Sequence, residues 1–373
     1  FEVKKSVYKY FKEVNEVNLE VYNYHKEQEK LYQEKYNEEY NEFMKLLSGE
    51  VELTKEDLGL TFDPTYNKAT RYVAGEVTKL ISKIDPVLFG GSADLASSTT
   101  VFGVDGDFNQ ANRLGRNIIF GVRENAMGAI CNGITLNGVT RAFCSGFFVF
   151  ADYMKPAMRM SALMKLPVIY CFSHDSIAVG EDGPTHQPIE QLAMLRAMPE
   201  FSVFRPADMT ETIASWYYYL VNKKPTAVVL SRQNLPQLKG TSKEALKGGY
   251  IVSDSKKDSP DVILLASGSE VSIAIEAQEV LYKDGIDARV VSMVSIDEFE
   301  RQSDEYKESV LPKEIRKRVA IEAAADFGWG KYVGLDGKYI TMKSFGASAP
   351  AAQLFEKFGF TVDNVVNTVK ELF

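Results

Sequence analysis

Histidine and cysteine are both scarce in this chain, with three of each among 373 residues. Cys131, Cys144 and Cys171 sit in apolar or small-residue contexts and form no Cys-x-x-Cys pair. That argues against zinc sites and a disulfide framework, and it leads to the expectation of buried thiols in a reducing, cytoplasmic setting. No apolar run approaches the ~20 residues of a membrane-spanning helix, and no signal-peptide pattern is visible. Positive charge is in deficit: 43 Lys and Arg face 51 Asp and Glu, a net charge of −8. Nucleic acid and anionic membranes are therefore poor default partners, and an anionic small substrate needs a local basic site. Internal repeats and low-complexity tracts are lacking. The chain opens on Phe1 inside a helix-like pattern, which suggests a piece of something longer.

What is present is mostly α/β alternation. Over residues 1–60, Tyr32, Tyr36, Tyr40, Phe43 and Leu47 recur at helical spacing, with Gly49 as the C-cap of a long amphipathic connector. Over 61–238, strand candidates (PVLFGG, RNIIFGV, VTRAFC, PVIYCFS, SVFRP, TAVVLS) alternate with helical patterns such as NAMGAICNGI and FFVFADYMKPAMRM. Such alternation predicts a mostly parallel sheet with helices on both faces. A Lys/Gly/Ser-rich linker is expected at 239–260, and a second α/β unit at 261–373, closed by a helix near AAQLFEKFG. The turn Ser267-Gly268-Ser269-Glu270 lies between a strand and a helix but lacks a full glycine fingerprint, so an ordinary turn is favoured over a phosphate site.

Ligands bind beyond the carboxyl ends of parallel strands. Asp94, Ser98, Glu124, His174, Asp182, His186 and Arg232 all follow strand candidates and should collect on one rim. Glu124 opens a helix, where an acid is favoured by the macrodipole and where a carboxylate can also share a proton with a ring nitrogen. Phe147, Phe150 and Tyr153 are spaced to share one helix face, as core packing or as a wall for a flat heterocycle. His174 and His186 lie in one acidic, Gly/Pro-broken loop, HDSIAVGEDGPTHQP. A loop of that length inside a compact domain is usually functional. Metal ligation with Asp175, Glu181 and Asp182, hydrogen bonding and proton transfer all remain open for it. Arg71 and Arg232 are candidates for an anion clamp.

The stretch SHDSIAVGEDGPTHQPIEQLAMLRAMP (173–199) resembles the signature of transketolases, thiamine-diphosphate enzymes of sugar phosphate metabolism in the pentose phosphate pathway. The likeness continues in FGGSADLASS, FGVRENAMGAICNGI, PTAVVLSRQNLP, GSEVSIA and FGASAPAAQLFEKFGFTVDNV, and covers nearly everything beyond residue 60. It implies a pyrimidine-binding domain over 61–238 and a C-terminal domain over 261–373. Glu124 would bind the aminopyrimidine nitrogen of thiamine diphosphate and favour its imino tautomer. Phe147, Phe150 and Tyr153 would pack around the pyrimidine. His186 would bond the donor's hydroxyls near the reacting carbon, with Asp182 selecting the next hydroxyl and Asp94 near the substrate's hydroxyls. Arg71, Ser98, His174 and Arg232 would hold the distal phosphate.

The family's first domain holds the diphosphate through a divalent metal such as magnesium, with a Gly-Asp-Gly motif. The nearest string here is Val104-Asp105-Gly106-Asp107. The expectation is thus a homodimer-forming transketolase portion without that domain, carrying no metal ligands of its own and inactive in isolation. The alternatives are one subunit of a two-chain transketolase, a 2-oxo acid dehydrogenase β-subunit, a deoxyxylulose phosphate synthase, or a non-catalytic dimerisation module.

Overall fold

A computed structural model describes residues 2–48 and 63–373. The chain divides into two units, 1–52 and 53–373. In the first, α1 (Lys5–Lys35) is followed by α2 (Asn37–Ser48). The tyrosine periodicity predicts a single helix, but the path breaks at Tyr36, whose φ of −130° is not helical. The aromatic stripe then folds back on itself, so that Tyr40 donates to Glu29 Oε1 at 3.1 Å. Gly49, the expected cap, lies outside the described residues.

Among the described residues, the second unit carries two large sheets and a short antiparallel pair, Asn67–Lys68 with Leu235–Pro236. The first is built from β1 (Leu88–Ser92), β2 (Asn117–Ile119), β3 (Arg141–Phe147), β4 (Val168–Ser173), β5 (Ser202–Phe204) and β6 (Thr226–Leu230). Its order is β2-β1-β3-β4-β6-β5 and every pairing is parallel. Alternation along β4 shows why both faces are covered. Val168, Tyr170 and Phe172 enter one core with Met127 and Met154, while Ile169 and Cys171 enter another with Trp216 and Tyr219. The register pairs Ser92 with Ser145, Phe147 with Ser173, and Ser173 with Leu230. The segments leaving these strands therefore emerge along one edge.

Helices α3 (Thr70–Ile84), α4 (Ala96–Thr99), α5 (Glu124–Leu136), α6 (Ala151–Met164), α7 (Gln191–Arg196) and α8 (Met209–Asn222) flank this sheet. One expectation is corrected here. Phe147, Phe150 and Tyr153 do not share a helix: Phe147 ends β3, Phe150 lies in a 3-10 turn, and only Tyr153 belongs to α6. An aromatic run suits either state, and pairing of Phe147 with Ser173 in the sheet decides it.

The second sheet comprises β7 (Tyr250–Ser253), β8 (Val262–Ala266), β9 (Ala288–Ser292), β10 (Arg318–Ala325) and β11 (Lys338–Met342), in the order β11-β10-β8-β9-β7. Only β7 is antiparallel. That strand falls within 239–260, the stretch expected as a linker. Its alternation Tyr250/Val252 is a half-buried strand pattern hidden among Lys, Gly and Ser. The Tyr250 hydroxyl donates to buried Glu211 at 2.7 Å, which ties it to α8. A helix over Ala351–Lys357 is present as expected, and a further one, Val362–Lys370, follows it and buries Val365, Val366 and Val369. Its valines disguise it, because β-branched residues are weak helix formers.

Candidate active site

The rim begins with β3 and β4. His174 comes directly after β4 with φ of +64°, a left-handed backbone that costs a non-glycine residue about 1 kcal/mol or more. This turn lays its imidazole on Phe147, with ring centroids 3.7 Å apart at 29°. Ser173 Oγ and His174 Nδ1 share a 2.8 Å hydrogen bond. The His186 ring stands edge-on to Phe147 at 6.3 Å and to Phe150 at 5.5 Å. Phe147 and Phe150 are parallel within 9°. The two loop histidines and the two phenylalanines thus form one group.

A cationic cluster adjoins His174. Burial pushes its imidazole down to about 3, helped by the charges of Arg71, Arg232 and His186. Arg71 reaches the rim because the N-terminus of α3 is tied to the segment after β6. Ser231 N donates to Thr70 Oγ1 at 2.7 Å, Thr70 N to Ser231 Oγ at 3.0 Å, and Ala69 N to Asn234 Oδ1 at 3.0 Å. That lacing sets Arg71 near Arg232. The Arg71 guanidinium donates to the Ser98 carbonyl of α4 and keeps a buried Nε without a partner. Arg232 is exposed and Ser98 half-buried. The charges that lower His174 are those of Arg71, Arg232 and His186, in a chain whose net charge is −8.

Because His174 is depressed below its unfolded value, the unfolded chain binds a proton that the folded chain refuses. Its contribution to stability is present above about pH 6.5 and is lost as pH falls toward 3. The expected NMR titration shows His174 neutral at pH 5; a midpoint near 6.5 would contradict this environment. With only three histidines, the ring signals are readily assigned.

Glu124 opens α5 and the aromatic group opens α6. Gly128, one turn into α5, lets the two helices approach: a Cβ there would lie 2.8 Å from that of Ala157 and 2.9 Å from Met154 Cγ. Both helix N-termini therefore stand side by side on the rim, with Tyr153 exposed beside Met154. No hydrogen bond or ion pair joins Glu124, Asp94 or Asp182 to the His/Phe/Arg group among the described residues. Asp94 follows β1 with φ of +62°, and both aspartates are exposed.

Two residues with no assigned role in the sequence reading hold the loop. Arg205, after β5, is fully buried and donates to Asp175 Oδ2 from Nε at 3.0 Å and from Nη2 at 2.8 Å. Its other face bonds Glu270 and the Ser267 carbonyl. Asp175 is thereby committed to an ion pair rather than to a metal. The Ser267–Glu270 turn likewise packs on Arg205. Gln187, the second, is bonded to the loop's own carbonyls and to Ala347 O. The only advance signal for Arg205 was a lone arginine after an apolar strand. Gln187 had none beyond its place next to His186. Among the described residues, no group of three or more His, Cys, Asp or Glu is arranged to hold a metal ion, and no helix is long and apolar enough to cross a membrane.

Residues 67–237 match the family described as "Transketolase, pyrimidine binding domain", and 248–361 the "Transketolase-like TK C-terminal domain". The transketolase of Bacillus subtilis (strain 168) is 53% identical over 347 residues, which is 89% of this chain and 52% of that protein. A crystal structure of a Pichia stipitis transketolase in complex with sedoheptulose-7-phosphate superposes with a TM-score of 0.92 at 39% identity, covering 99% of this chain and 56% of that one. A structure titled "Split gene transketolase, inactive beta4 tetramer" superposes at 0.67 with 27% identity, covering 82% of this chain and 98% of that one. The chain spans about half the length of the first two of these proteins.

Proposed function

The chain belongs to the transketolase family, and from that premise we propose that it carries one half of an active site that moves a two-carbon ketol unit between sugar phosphates. The observation that carries this reading is the Arg71/Arg232 cationic cluster beside neutral His174, set against the Phe147/Phe150 group. A phosphate suits the first part and a flat heterocycle the second.

The residues present fit thiamine diphosphate. Phe150 and Tyr153 keep open surface, and the Glu124 carboxylate stands at a helix N-terminus with no protein donor on it among the described residues. When bound, that cofactor supplies a nucleophilic carbon. Glu124 holds a proton at the pyrimidine nitrogen, and the phenylalanines exclude water from the ring. His186 orients the donor's hydroxyls and exchanges a proton with them, and Asp182 and Asp94 face the hydroxyls further along. Arg71, Arg232, neutral His174 and Ser98 fix the distal phosphate. A divalent metal and the diphosphate are held outside these residues, on a further domain or a separate chain. The split-gene structure, which this chain nearly spans, favours giving the separate chain equal weight.

A second copy of the chain is the natural cover for Ile130, Leu136, Met160 and Leu163, apolar residues exposed on α5 and α6. Three free, buried cysteines support a cytoplasmic, reducing setting.

The test is calorimetric titration of the 373 residues with thiamine diphosphate and magnesium, beside a coupled assay with xylulose 5-phosphate and ribose 5-phosphate. Weak binding and no turnover are expected from these residues alone, and clear turnover would overturn the half-site reading. In the active assembly, Arg232→Ala should raise KM for ribose 5-phosphate roughly tenfold, the scale of one charge-assisted phosphate contact. An unchanged KM would remove the phosphate cluster from the reading.

A further inference from the structure

Gln187 is buried and follows His186 directly. Its side-chain nitrogen donates to Gly180 O at 3.0 Å, to Ile177 O at 3.3 Å and to Ala347 O at 2.9 Å. Two N–H groups serve three carbonyls, so one bond is shared. Rotating the amide by half a turn would aim its oxygen at all three acceptors, so its orientation is unambiguous. The first two bonds close the loop on itself. The third fastens it to the segment after β11, which belongs to the C-terminal sheet.

That segment is shaped to the loop. The Gln187 oxygen is buried, has no partner, and rests on Gly346, where a Cβ would lie 1.8 Å from it. Ser348 Oγ donates to the Glu181 carbonyl at 2.5 Å. Gly183, at φ of +76°, passes Ser348 so closely that a Cβ would meet the serine's own at 3.2 Å. Asp182 lies between these contacts, and His186 lies just beyond them.

We propose that Gln187 is a positioning residue, through which the segment Phe345–Ala349 sets the loop that carries Asp182 and His186. Gln187 touches no substrate. It acts through the backbone of its neighbour, so the C-terminal sheet governs donor binding without contributing a group to the reaction. The inference rests on the proposed roles of Asp182 and His186.

The experiment compares Gln187→Met, which keeps volume but loses all three bonds, with Gly346→Ala, which places a methyl on the amide from the opposite side. In the holoenzyme containing this chain, each should raise KM for the ketose donor about tenfold, since misplacement by ~1 Å can cost up to 10²-fold. KM for the aldose phosphate should change less than twofold. Gly346→Ala combined with Gln187→Ala should be no worse than Gln187→Ala alone, because the clash then has no target. In the chain by itself, both single variants should shift the His186 ring resonances and leave those of His25 in place. Wild-type donor KM in both variants, or additive effects in the double variant, would overturn the proposal. His186→Ala separates the two readings: if it leaves donor kinetics unchanged, the site assignment fails; if it impairs them while Gln187→Met does not, the positioning role fails.

Discussion

Replacing Arg205 by methionine is expected to lower the stability of the folded chain by about 3–5 kcal/mol, the usual cost of removing one partner from a buried ion pair. The guanidinium is fully buried and answers two carboxylates, Asp175 and Glu270, from opposite sides. A third, Glu322, lies 4.0 Å away and is chiefly held by Arg196, with both N–H···O distances 2.8 Å. Burial raises Glu322, but Arg196, its hydrogen bonds and Arg205 outweigh that and hold it down to about 2. Glu270 is different: burial keeps it above its usual value even with Arg205 beside it.

Without Arg205, Asp175 and Glu270 are left as buried acids with no cation of their own. With Arg205 gone, Glu270, which burial already holds above its usual value, is raised further. Between its unfolded and folded values the folded variant binds more protons than its unfolded chain, so its stability rises as pH falls through that window. The deficit relative to wild type should therefore be larger at pH 7 than at pH 5. Urea unfolding at the two pH values measures it through the midpoint, with the slope unchanged. A deficit below about 1 kcal/mol would mean that the network is no stronger than a surface pair.

The second large effect is on chemistry. Glu124→Gln should cut turnover of the active assembly by about 10² to 10⁴, the range that a positioned general acid or base contributes. Glutamine matches the shape of glutamate but cannot share a proton with a ring nitrogen. The fold should tolerate the change. At the first position of α5 the lost interaction is with the helix dipole, about 0.3–1 kcal/mol. Thermal melting and the coupled assay together decide the matter. Activity within twofold of wild type would reduce Glu124 to a helix-terminal acid. Loss of activity with an unchanged melt would assign it to the reaction.

Much of the fold was legible because its signals are local. The six strands of the first sheet are β-branched or aromatic runs, and their order along the chain made a parallel sheet the economical solution. The rim was legible for the same reason: whatever follows a parallel strand emerges at its carboxyl end. His174, Ser98 and Arg232 were expected beyond strand ends on this ground, and each follows its strand in the fold. The edge strand Tyr250–Ser253 was hidden among linker-like residues, and the helix Val362–Lys370 by its valines. Phe147 was misplaced onto a helix because three-residue spacing among aromatics cannot tell a strand end from a helix start.

By itself, the sequence determined the fold class, the family and the set of loops at the carboxyl ends of the strands, since these follow from periodicity, strand order and a long motif. Only the tertiary structure decided how those loops are held. The Asp175–Arg205–Glu270 network links residues 30 and 65 positions apart, and Gln187 meets Ala347 across 160. The lacing of Thr70 to Ser231 spans 161. No local pattern encodes such partners, because each is a buried polar group whose cost is met only by another brought to it by folding. The two loop histidines follow the same rule. They lie twelve residues apart in sequence, and it is the end of a neighbouring strand, at Phe147, that makes them one group.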